Sequence, residues 1–373
     1  MNILALEPYF GGSHKAFLKG WTTHSRHAWT ILDLPPRKWK WRMRHAAITY
    51  AEQVEAAFVG GQRWDLLFCS DMLNLAEFLG LAPRWIRDLP SVVYFHDNQL
   101  TYPFRFMGER DFHFGFTNLT TALAATEVWF NSAFHRDNFL GALHDALKRM
   151  PDYQPLPATS QIRAKSRIHP PGIEPLPPRG PRKSGPLRIT WAARWEHDKN
   201  PDAFFAALKI LKKRGVVFRI NVVGEQFKDA PPIFETAHKT FHAEIDRWGY
   251  QPTRAEYAAA LREADVFVST ADHEFFGIST VEALAVGCYP LLPRRLAYPE
   301  LLDLDHTPES QEFFYDGGSA ELATRLAELA ELIEVDGVWQ GDPHRGIRFA
   351  SRYLWTRRAP EMDAAAESLC TGT

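Results

Sequence analysis

The sequence is poor in cysteine, in long apolar runs and in excess charge of either sign. Its 373 residues contain three cysteines, Cys69, Cys288 and Cys370. An odd number at wide spacing argues against a disulfide framework and a zinc site, and favours a reducing compartment. No apolar run approaches the roughly 20 residues of a membrane-spanning helix, and the amino terminus lacks the basic segment of a secretory signal. We therefore expect a cytoplasmic protein without stable membrane association.

The charge balance bounds the kind of partner that the chain can attract. The formal net charge is -2, so any contact with nucleic acid must come from a local basic patch. Hydrophobic residues make up 45% of the chain, which is enough to bury sizeable cores. The length suits two domains of about 150 to 190 residues each.

Two successive series of alternating strands and helices organise the chain. The first series starts with the apolar run Ile3–Leu6, and the second starts with Leu187–Trp191. Strands that alternate with helices indicate a doubly wound α/β domain around a parallel sheet. We therefore predict an α/β fold with two Rossmann-like domains.

A change of composition separates the two series. Residues 151–186 hold ten prolines among several basic residues. We interpret this segment as a stiff, extended linker with a short strand near Ser166–His169. The first predicted domain covers residues 1–165 and the second covers residues 187–350. Residues 351–373 are expected to form a helix that could return to the first domain.

The most informative stretch follows a short apolar run that begins at Val266. A loop with Glu274 and Gly277 leads into the helical pattern Ile278–Val286, which contains Glu282. In a parallel sheet such a loop lies at the carboxyl edge, and the helix amino end after it attracts phosphate. Carboxylates around an anion site fit a nucleotide sugar, whose phosphates lie between two hydroxyl-rich rings. A solvated helix face is the competing interpretation of the spacing.

The first strand of the second domain is followed by Arg194 and Lys199. At a strand end these two cations are candidates for a diphosphate clamp, because Arg offers a planar fork and Lys a point charge. An exposed run of charges is the alternative. A later strand-end turn contains Glu225 and could hold the nucleotide base.

The first domain offers its own polar residues at predicted strand ends. Gly11 and Gly12 would let the backbone approach a ligand, unless they form a plain turn. His14 could contact donor or acceptor, or cap the helix after it. His96 ends a strand, where chemistry usually lies in this fold, although a buried structural histidine is the alternative. Two further polar residues follow it, Asp97 and Asn98.

A short segment near residue 40 interleaves five basic residues with two tryptophans. Its members are Arg37, Lys38, Trp39, Lys40, Trp41, Arg42 and Arg44. Basic residues neutralise phosphates and aromatic rings stack on unpaired bases, so the pattern is typical of an RNA-binding surface. The alternative is an amphipathic segment whose tryptophans pack inward while its charges stay solvated.

Seven motifs together resemble the tRNA-queuosine α-mannosyltransferase family, also described as glycosyltransferase-like domain-containing proteins. They are Phe10–Lys15, Lys38–Arg42, Phe95–Pro103, Glu109–Phe112, Arg194–Lys199, His273–Gly277 and Gly287–Pro290. The resemblance extends from Phe10 to about Pro299. Within it, the spacing of Glu274 and Glu282 resembles the donor-site motif of retaining enzymes in glycosyltransferase family four.

The resemblance implies a GT-B enzyme, with an acceptor domain and a donor domain facing across a cleft. It implies retaining transfer of mannose from GDP-mannose to the cyclopentenediol of queuosine in a tRNA anticodon. The implied catalytic residues are His96, Glu274, Arg194 and Lys199. The implied donor-binding residues are Gly11, Gly12, Arg194, Lys199, Glu225, Phe276, Gly277 and Glu282. The implied acceptor-binding residues are His14, Arg37, Lys38, Trp39, Lys40, Trp41, Arg42, Asp97 and Asn98.

The sequence predicts activity without a metal ion. Its one D-x-D string is Asp303–Asp305, in a predicted surface turn, whereas cationic side chains and a helix amino end can stabilise the leaving phosphate. Three other functions stay open. They are a family-four enzyme acting on a lipid or polysaccharide, a sugar-nucleotide epimerase of similar fold, and a tRNA-binding protein without activity.

Overall fold

The computed structural model describes residues 1–103, 112–227, 230–335, 337–339, 342 and 344–371. Residues 109–111 of one sequence motif lie outside these ranges. The chain divides into two compact units. The first unit contains Met1–Gly172 and Trp355–Thr373, and the second contains Ile173–Leu354.

The first unit is built on a parallel sheet of six strands in the order β2-β1-β3-β4-β5-β6. The strands are β1 (Asn2–Glu7), β2 (Ala28–Asp33), β3 (Leu66–Ser70), β4 (Ser91–Phe95), β5 (Glu127–Phe130) and β6 (Ser166–Ile168). The central strands β3 and β4 are buried along their whole length. Their apolar runs do not alternate because helices cover both faces of a doubly wound sheet.

Helices connect these strands along the chain. They are α1 (Gly12–His24), α2 (Trp39–Val59), α3 (Leu75–Leu81), α4 (Arg84–Arg87), α5 (Phe112–Ala124), α6 (Ala133–Lys148) and α7 (Pro157–Ala164). The prediction of an extended linker is wrong for the first half of the proline-rich segment, because α7 and β6 form there. Pro157 lies in the first turn of α7, where proline needs no N–H donor and its fixed φ suits a helix. The predicted short strand within the segment is confirmed as β6.

The second unit repeats the architecture with the sheet order β12-β11-β10-β7-β8-β9. Its strands are β7 (Leu187–Ala192), β8 (Phe218–Val223), β9 (Ile245–Gly249), β10 (Val266–Val268), β11 (Tyr289–Pro293) and β12 (Phe314–Tyr315). Its helices are α8 (Pro201–Lys213), α9 (Ile233–Thr240), α10 (Arg254–Glu263), α11 (Ile278–Val286), α12 (Tyr298–Leu301), α13 (Ser319–Val335) and α14 (Arg345–Ser351). Neighbouring strands in this sheet pair in parallel. The prediction of two Rossmann-like α/β domains is therefore confirmed.

Local sequence signals explain where the helices of the second unit begin. Asn200 adopts a left-handed conformation and its side chain accepts a hydrogen bond from Ala203 N at the start of α8. Thr253 and Glu256 form a reciprocal capping box at the start of α10. Both arrangements satisfy backbone donors that a helix otherwise leaves unpaired. None of the helices in the described ranges combines the length and apolar character needed to cross a bilayer.

The last helix, α15 (Trp355–Thr371), packs on α1 in the first unit. Trp355 lies against two glycines, and a Cβ atom at Gly20 or Gly172 would come within 2.0 or 2.3 Å of its ring. Asp363 is 1% exposed. It accepts hydrogen bonds at 2.8 Å from Trp21 Nε1, Ser25 Oγ and the backbone N of Arg26. A carboxylate therefore holds α15 on the end of α1.

We expect Asp363→Ala to lower the free energy of unfolding by on the order of 3 kcal/mol, because it leaves buried donors without an acceptor. The measurement is urea denaturation followed by tryptophan fluorescence. Glu361→Ala on the same helix is the matched control. Its side chain is 43% exposed, so its removal should cost less than about 0.5 kcal/mol. Equal stability of the two variants would contradict this role of Asp363.

Candidate active site

Polar residues of the first unit gather at the carboxyl edge of its sheet. Glu7 ends β1, Asp71 follows β3 and His96 follows β4. These strands are neighbours in the sheet, so parallel pairing brings their ends together. Glu7 and Asp71 are each 1% exposed. Two carboxylates are therefore withdrawn from water beside the strand end that carries His96.

Glu7 connects this edge to the first turn of α1. One carboxylate oxygen accepts hydrogen bonds from Tyr9 N at 2.9 Å and Ser70 Oγ at 3.0 Å. The other lies 3.2 Å from His14 Nδ1. The imidazole of His14 in turn lies against that of His96, with ring centroids 4.0 Å apart and planes inclined by 34°. Glu7, His14 and His96 thus form one continuous cluster.

The environment shifts the pKa values of this cluster in different directions. Burial alone lowers the pKa of His14, but Glu7, helped by Asp71 and Asp97, raises it above the ordinary value. Burial lowers the pKa of His96 well below its ordinary value, and His14 and His135 lower it further. Burial raises the pKa of Asp71 to about 7. The surroundings therefore favour protonation of His14 over protonation of His96.

The same cluster is the candidate metal-binding group of the described residues. One ligand atom from each of Glu7, His14 and His96 lies within 4.8 Å of the others. One carboxylate and two imidazoles are a donor set that zinc accepts.

The remaining residues predicted for this edge have different surroundings. Gly12 has a φ of +50° and a Cβ placed there would meet nothing within 4 Å, whereas one at Gly11 would collide with Pro36. Asp97 is half-buried after β4. Asn98 is fully buried, and its Oδ1 accepts hydrogen bonds from Leu100 N and from the backbone and hydroxyl of Thr101. The Asn98 side chain therefore shapes the turn, and its contact with the acceptor stays a prediction.

The basic segment forms the loop before α2 and the first turns of that helix. Arg37, Lys38, Lys40, Trp41 and Arg44 are exposed. Lys38 adopts a left-handed conformation just before the helix. Arg42 is half-buried, donating from Nε to Pro35 O at 3.1 Å and contacting His45 through Nη1 at 2.9 Å. It braces the loop through these contacts, and its contact with the acceptor stays a prediction.

The two tryptophans of this segment have different environments. Trp39 is half-buried and packs on Phe114 of α5 at 5.1 Å between ring centroids. It belongs to a small cluster with Tyr9, Met43 and Met72. Trp41 is 63% exposed. Tyr9 lies 6.0 Å from the His14 ring, so the packed side of this segment adjoins the Glu7–His14 cluster within the first unit.

In the second unit, Lys199 lies at the end of a 3-10 helix, His197–Lys199, before α8. Its side chain is 9% exposed. The Nζ atom donates to His273 O at 2.7 Å and lies 3.1 Å from Asp198 Oδ2 and 3.4 Å from Glu274 Oε2. Burial alone lowers the pKa of Lys199, but Glu274 and Asp198 raise it above its ordinary value. Lys199 is therefore a buried cation held between two carboxylates.

Glu274 joins Lys199 to the amino end of α11. Its second oxygen accepts a hydrogen bond from Gly277 N at 3.2 Å. Gly277 has a φ of +95°, and a Cβ there would lie 3.1 Å from the Tyr298 ring. A small pocket opens beside these residues, and Lys199, Glu274, Ser279 and Tyr298 contribute to its wall. The predicted loop of the βαβ unit thus brings a carboxylate, a cation and a helix amino end together.

Glu282 has two partners that the sequence interpretation missed. Its carboxylate accepts from Arg254 Nη1 at 2.8 Å and from the Tyr257 hydroxyl at 2.9 Å. Both partners lie in the first turns of α10, more than 20 residues before Glu282. The start of a helix was visible in the Thr253-x-x-Glu256 capping pattern. Nothing in the sequence alone signals that this helix faces Glu282.

Three other residues that were predicted to bind the sugar donor differ in their exposure and contacts. Arg194 is 43% exposed and pairs with Glu196 at 3.2 Å. Glu225 is exposed, and its carbonyl accepts from Trp195 N at 2.9 Å. Phe276 is 6% exposed and packs on Tyr353. The Phe276 ring belongs to the core of the second unit, and its contact with the donor stays a prediction.

Comparisons with known proteins cover most of the chain. Residues 2–173 match the family described as tRNA-queuosine alpha-mannosyltransferase N-terminal, and residues 173–332 match glycosyl transferases group 1. A tRNA-queuosine alpha-mannosyltransferase of Drosophila melanogaster is 35% identical over 312 residues, which are 80% of this chain and 81% of that protein.

Two further similarities are more distant. A GDP-mannose-dependent alpha-(1-6)-phosphatidylinositol dimannoside mannosyltransferase of Mycobacterium tuberculosis is 31% identical over 190 residues, 50% of this chain and 45% of that one. The structure of sucrose-phosphate synthase from Thermosynechococcus elongatus aligns with a TM-score of 0.74 at 13% identity, covering 100% of each chain. At that identity the likeness concerns the fold alone.

The two Rossmann-type units and the group 1 match define a glycosyltransferase of the GT-B class, which takes a nucleotide-sugar donor. The identity with the Drosophila protein extends across both units and narrows this class. The chain belongs to the tRNA-queuosine α-mannosyltransferase family.

We expect Gly277→Ala to destabilise the second unit. The alanine would have to adopt the left-handed backbone of this position, and its methyl group would press on Tyr298. We expect this strain to lower the free energy of unfolding by about 1–3 kcal/mol. The measurement is the free energy of unfolding by urea denaturation.

Gly141→Ala is the matched control. Gly141 lies inside α6 without a positive φ, and a methyl group added there would meet nothing within 4 Å. Removing its backbone freedom should stabilise the protein by about 0.5–1 kcal/mol. If both variants unfold like the wild type, the strain assigned to Gly277 is absent.

Proposed function

We propose that this enzyme transfers mannose from GDP-mannose to the cyclopentenediol of queuosine in a tRNA anticodon, with retention of configuration. The observation that carries the proposal is the 35% identity to the Drosophila tRNA-queuosine alpha-mannosyltransferase over 80% of the chain. The exposed basic face of α2 supports a tRNA acceptor, and the carboxylate-flanked amino end of α11 supports a nucleotide-sugar donor. A tRNA substrate and free cysteines agree with activity in the cytoplasm.

The donor is proposed to bind the second unit. The Mycobacterium relative is named as GDP-mannose-dependent, which favours the same donor here. Glu282 would bind the ribose hydroxyls, since a carboxylate can accept more hydrogen bonds than the two it has from Arg254 and Tyr257. Glu274 would bind sugar hydroxyls. Arg194 and the amino end of α11 would contact the diphosphate, with Gly277 permitting close approach.

Lys199 is proposed to act beside the leaving phosphate. It is already shared by Asp198 and Glu274, so its first effect is to hold Glu274 in place. As the bond to the sugar lengthens, negative charge grows on the diphosphate. A fixed ammonium and helix N–H groups stabilise that charge more in the transition state than in the ground state. The departing phosphate can then take the proton of a hydroxyl that attacks from the same face.

The acceptor is proposed to bind the first unit. Exposed Arg37, Lys38 and Lys40 would neutralise phosphates of the tRNA. Exposed Trp41 would stack on an unpaired base. Trp39, packed with Tyr9 and Met72, would connect this surface to the Glu7–His14 cluster, with His96 beside the reacting hydroxyl.

The second candidate is mannosyl transfer to a lipid or polysaccharide. The relative named for phosphatidylinositol dimannoside favours it, and a basic, tryptophan-bearing helix end can also contact anionic lipid. Flotation with liposomes of phosphatidylinositol would capture the protein in this case.

The decisive experiment incubates the protein with queuosine-containing tRNA and a panel of nucleotide sugars, with and without EDTA. Mass spectrometry of the nucleosides should show one added hexose with GDP-mannose, in the presence of the chelator. Turnover of GDP-mannose without tRNA would favour an epimerase, and tRNA binding without transfer would favour a binding protein. Activity abolished by EDTA and restored by Mg²⁺ or Mn²⁺ would contradict the metal-free mechanism.

Glu282→Gln should weaken GDP binding about tenfold, because the amide keeps one acceptor oxygen but loses the charge that strengthens its hydrogen bonds. The measurement is isothermal calorimetry with GDP. Glu263→Gln removes another carboxylate that pairs with an arginine, Arg247, on the surface of the same unit. Equal GDP affinity of both variants would mean that the second unit binds the nucleotide elsewhere.

Lys38→Ala combined with Lys40→Ala should retain the fold and GDP affinity but weaken tRNA binding. The slope of log affinity against log salt should become shallower by roughly one for each phosphate that the variant no longer neutralises. Trp41→Ala should weaken tRNA binding by about 1–3 kcal/mol, whereas Trp39→Ala should mainly lower the melting temperature. The measurements are tRNA binding at several salt concentrations and thermal melting. Unchanged tRNA affinity of the lysine double variant would remove α2 from the acceptor surface.

A further inference from the structure

The carboxylate of Glu282 is held at both of its oxygens by the neighbouring helix α10. One oxygen accepts a hydrogen bond from Arg254 Nη1 at 2.8 Å, and the other accepts one from the Tyr257 hydroxyl at 2.9 Å. A glutamate side chain is long and flexible, so contacts at both oxygens select one orientation among many. The function proposed above gives Glu282 a ligand but gives these two donors no task.

The start of α10 is built to present both donors on one face. Arg254 is the first residue of the helix and Tyr257 follows three positions later, a spacing that places two side chains side by side. The capping box just before them fixes where the helix begins. In it, Thr253 Oγ1 accepts from Glu256 N at 3.1 Å and Glu256 Oε2 accepts from Thr253 N at 3.0 Å. Both donors are therefore placed against Glu282 by local structure, without a ligand.

The ion pair contributes more to the carboxylate than to the stability of the fold. The Arg254 side chain is 50% exposed, whereas that of Glu282 is 9% exposed. An ion pair with a solvated arginine adds little to stability, but a nearly buried carboxylate needs a compensating charge. Arg254 supplies that charge from the solvent side.

Tyr257 supplies the second fixed contact. Burial, and then the nearness of Glu282, raise the pKa of Tyr257 well above its ordinary value. The phenol therefore keeps its proton at neutral pH and remains a donor. Replacing it by phenylalanine removes this donor while the ring that packs between the helices is retained.

The two contacts leave acceptor capacity on each oxygen of Glu282. A carboxylate has about four acceptor positions over its two oxygens, and one on each oxygen is occupied. Adjacent acceptors held in a fixed orientation suit two neighbouring hydroxyl groups, such as those of a ribose.

We propose that Arg254 and Tyr257 are positioning residues that hold the Glu282 carboxylate in the orientation that accepts from both ribose hydroxyls of the nucleotide. The identity of the ligand rests on the proposed function, in which a nucleotide sugar binds the second unit. Because the carboxylate is fixed beforehand, less conformational freedom is lost when the ribose binds. The two residues therefore make the site select a ribonucleotide over one whose sugar lacks these hydroxyls.

The test compares GDP with 2′,3′-dideoxy-GDP by isothermal calorimetry on the wild type and on Tyr257→Phe. The wild type should bind GDP more tightly than the dideoxy nucleotide. Tyr257→Phe should raise the Kd of GDP about three- to tenfold and leave the Kd of the dideoxy nucleotide unchanged, because that ligand has no hydroxyl for Glu282. Unchanged binding of the dideoxy nucleotide also shows that the variant is folded.

Arg254→Gln should likewise weaken GDP binding alone, with an unfolding midpoint in urea equal to that of the wild type. Arg254→Lys retains a positive charge beside the carboxylate and should recover part of the GDP affinity.

Each substitution has a matched control in the same unit. Arg262→Gln removes an exposed arginine from the same helix. Tyr289→Phe removes a hydroxyl that donates to the backbone carbonyl of Glu312 at 3.0 Å. Both controls should bind the two nucleotides like the wild type.

Calorimetry needs no acceptor, so the outcome is independent of transfer. Absence of mannosyl transfer in the wild type would refute the proposed function and leave the ribose comparison standing. If the wild type binds UDP in place of GDP, only the proposed donor is refuted, and UDP with 2′,3′-dideoxy-UDP gives the same comparison. Equal affinity of the wild type for the ribose and dideoxy forms would overturn the role of Arg254 and Tyr257. So would an equal loss of affinity for both forms in Tyr257→Phe, because the residue would then serve the fold alone.

Discussion

Both units depend on the alignment of parallel strands, whose carboxyl ends meet at one edge of each sheet. Parallel pairing places the end of β1 beside the ends of β3 and β4, so Glu7, Asp71 and His96 converge although they are far apart in sequence. The same constraint brings the loop after β7 to the loop after β10, where Lys199 meets Glu274. The sheets thus deliver side chains from several strand ends to one edge, and the last residues of β7 and β10 themselves line the pocket beside Lys199 and Glu274.

Burial of charge then decides which of these side chains can act directly on a ligand. A buried ammonium or carboxylate must have partners, and Lys199 has two carboxylates and a carbonyl within reach. Asp265 is fully buried and binds Arg179, Arg182 and the backbone N of Arg188. Asp265 thereby fastens the end of the proline-rich segment to the second unit. Such residues organise loops, whereas groups such as Arg194 and His14 keep part of their side chains open to solvent.

The sequence was sufficient for most strands of the two sheets, and it failed where long-range packing determines the outcome. Apolar runs identified the central strands but not the edge strands β2 and β12, and the loop from Glu274 to Gly277 was placed correctly before α11. The prediction missed α7 because it took a high number of prolines as a sign of extended chain, whereas Pro157 is tolerated in the first turn of a helix. The contacts of Glu282 with Arg254 and Tyr257 follow from how α10 packs beside α11, which local pattern does not encode. The role of Asn98 in its turn follows from contacts with Leu100 and Thr101, which the motif alone did not reveal.

Trp39 and Trp41 show why the basic segment could not be interpreted from composition alone. Residues two positions apart on a helix point in very different directions. If one of the two tryptophans packs inward, the other is therefore turned away from the core. Trp39 packs on Phe114 and joins Tyr9 and Met72, which fixes the rotation of α2 about its axis. That rotation leaves Trp41 and the neighbouring lysines exposed. The inward tryptophan therefore determines which residues the helix exposes to solvent, and it does so through the same small cluster that includes Tyr9, beside the loop of Glu7 and His14.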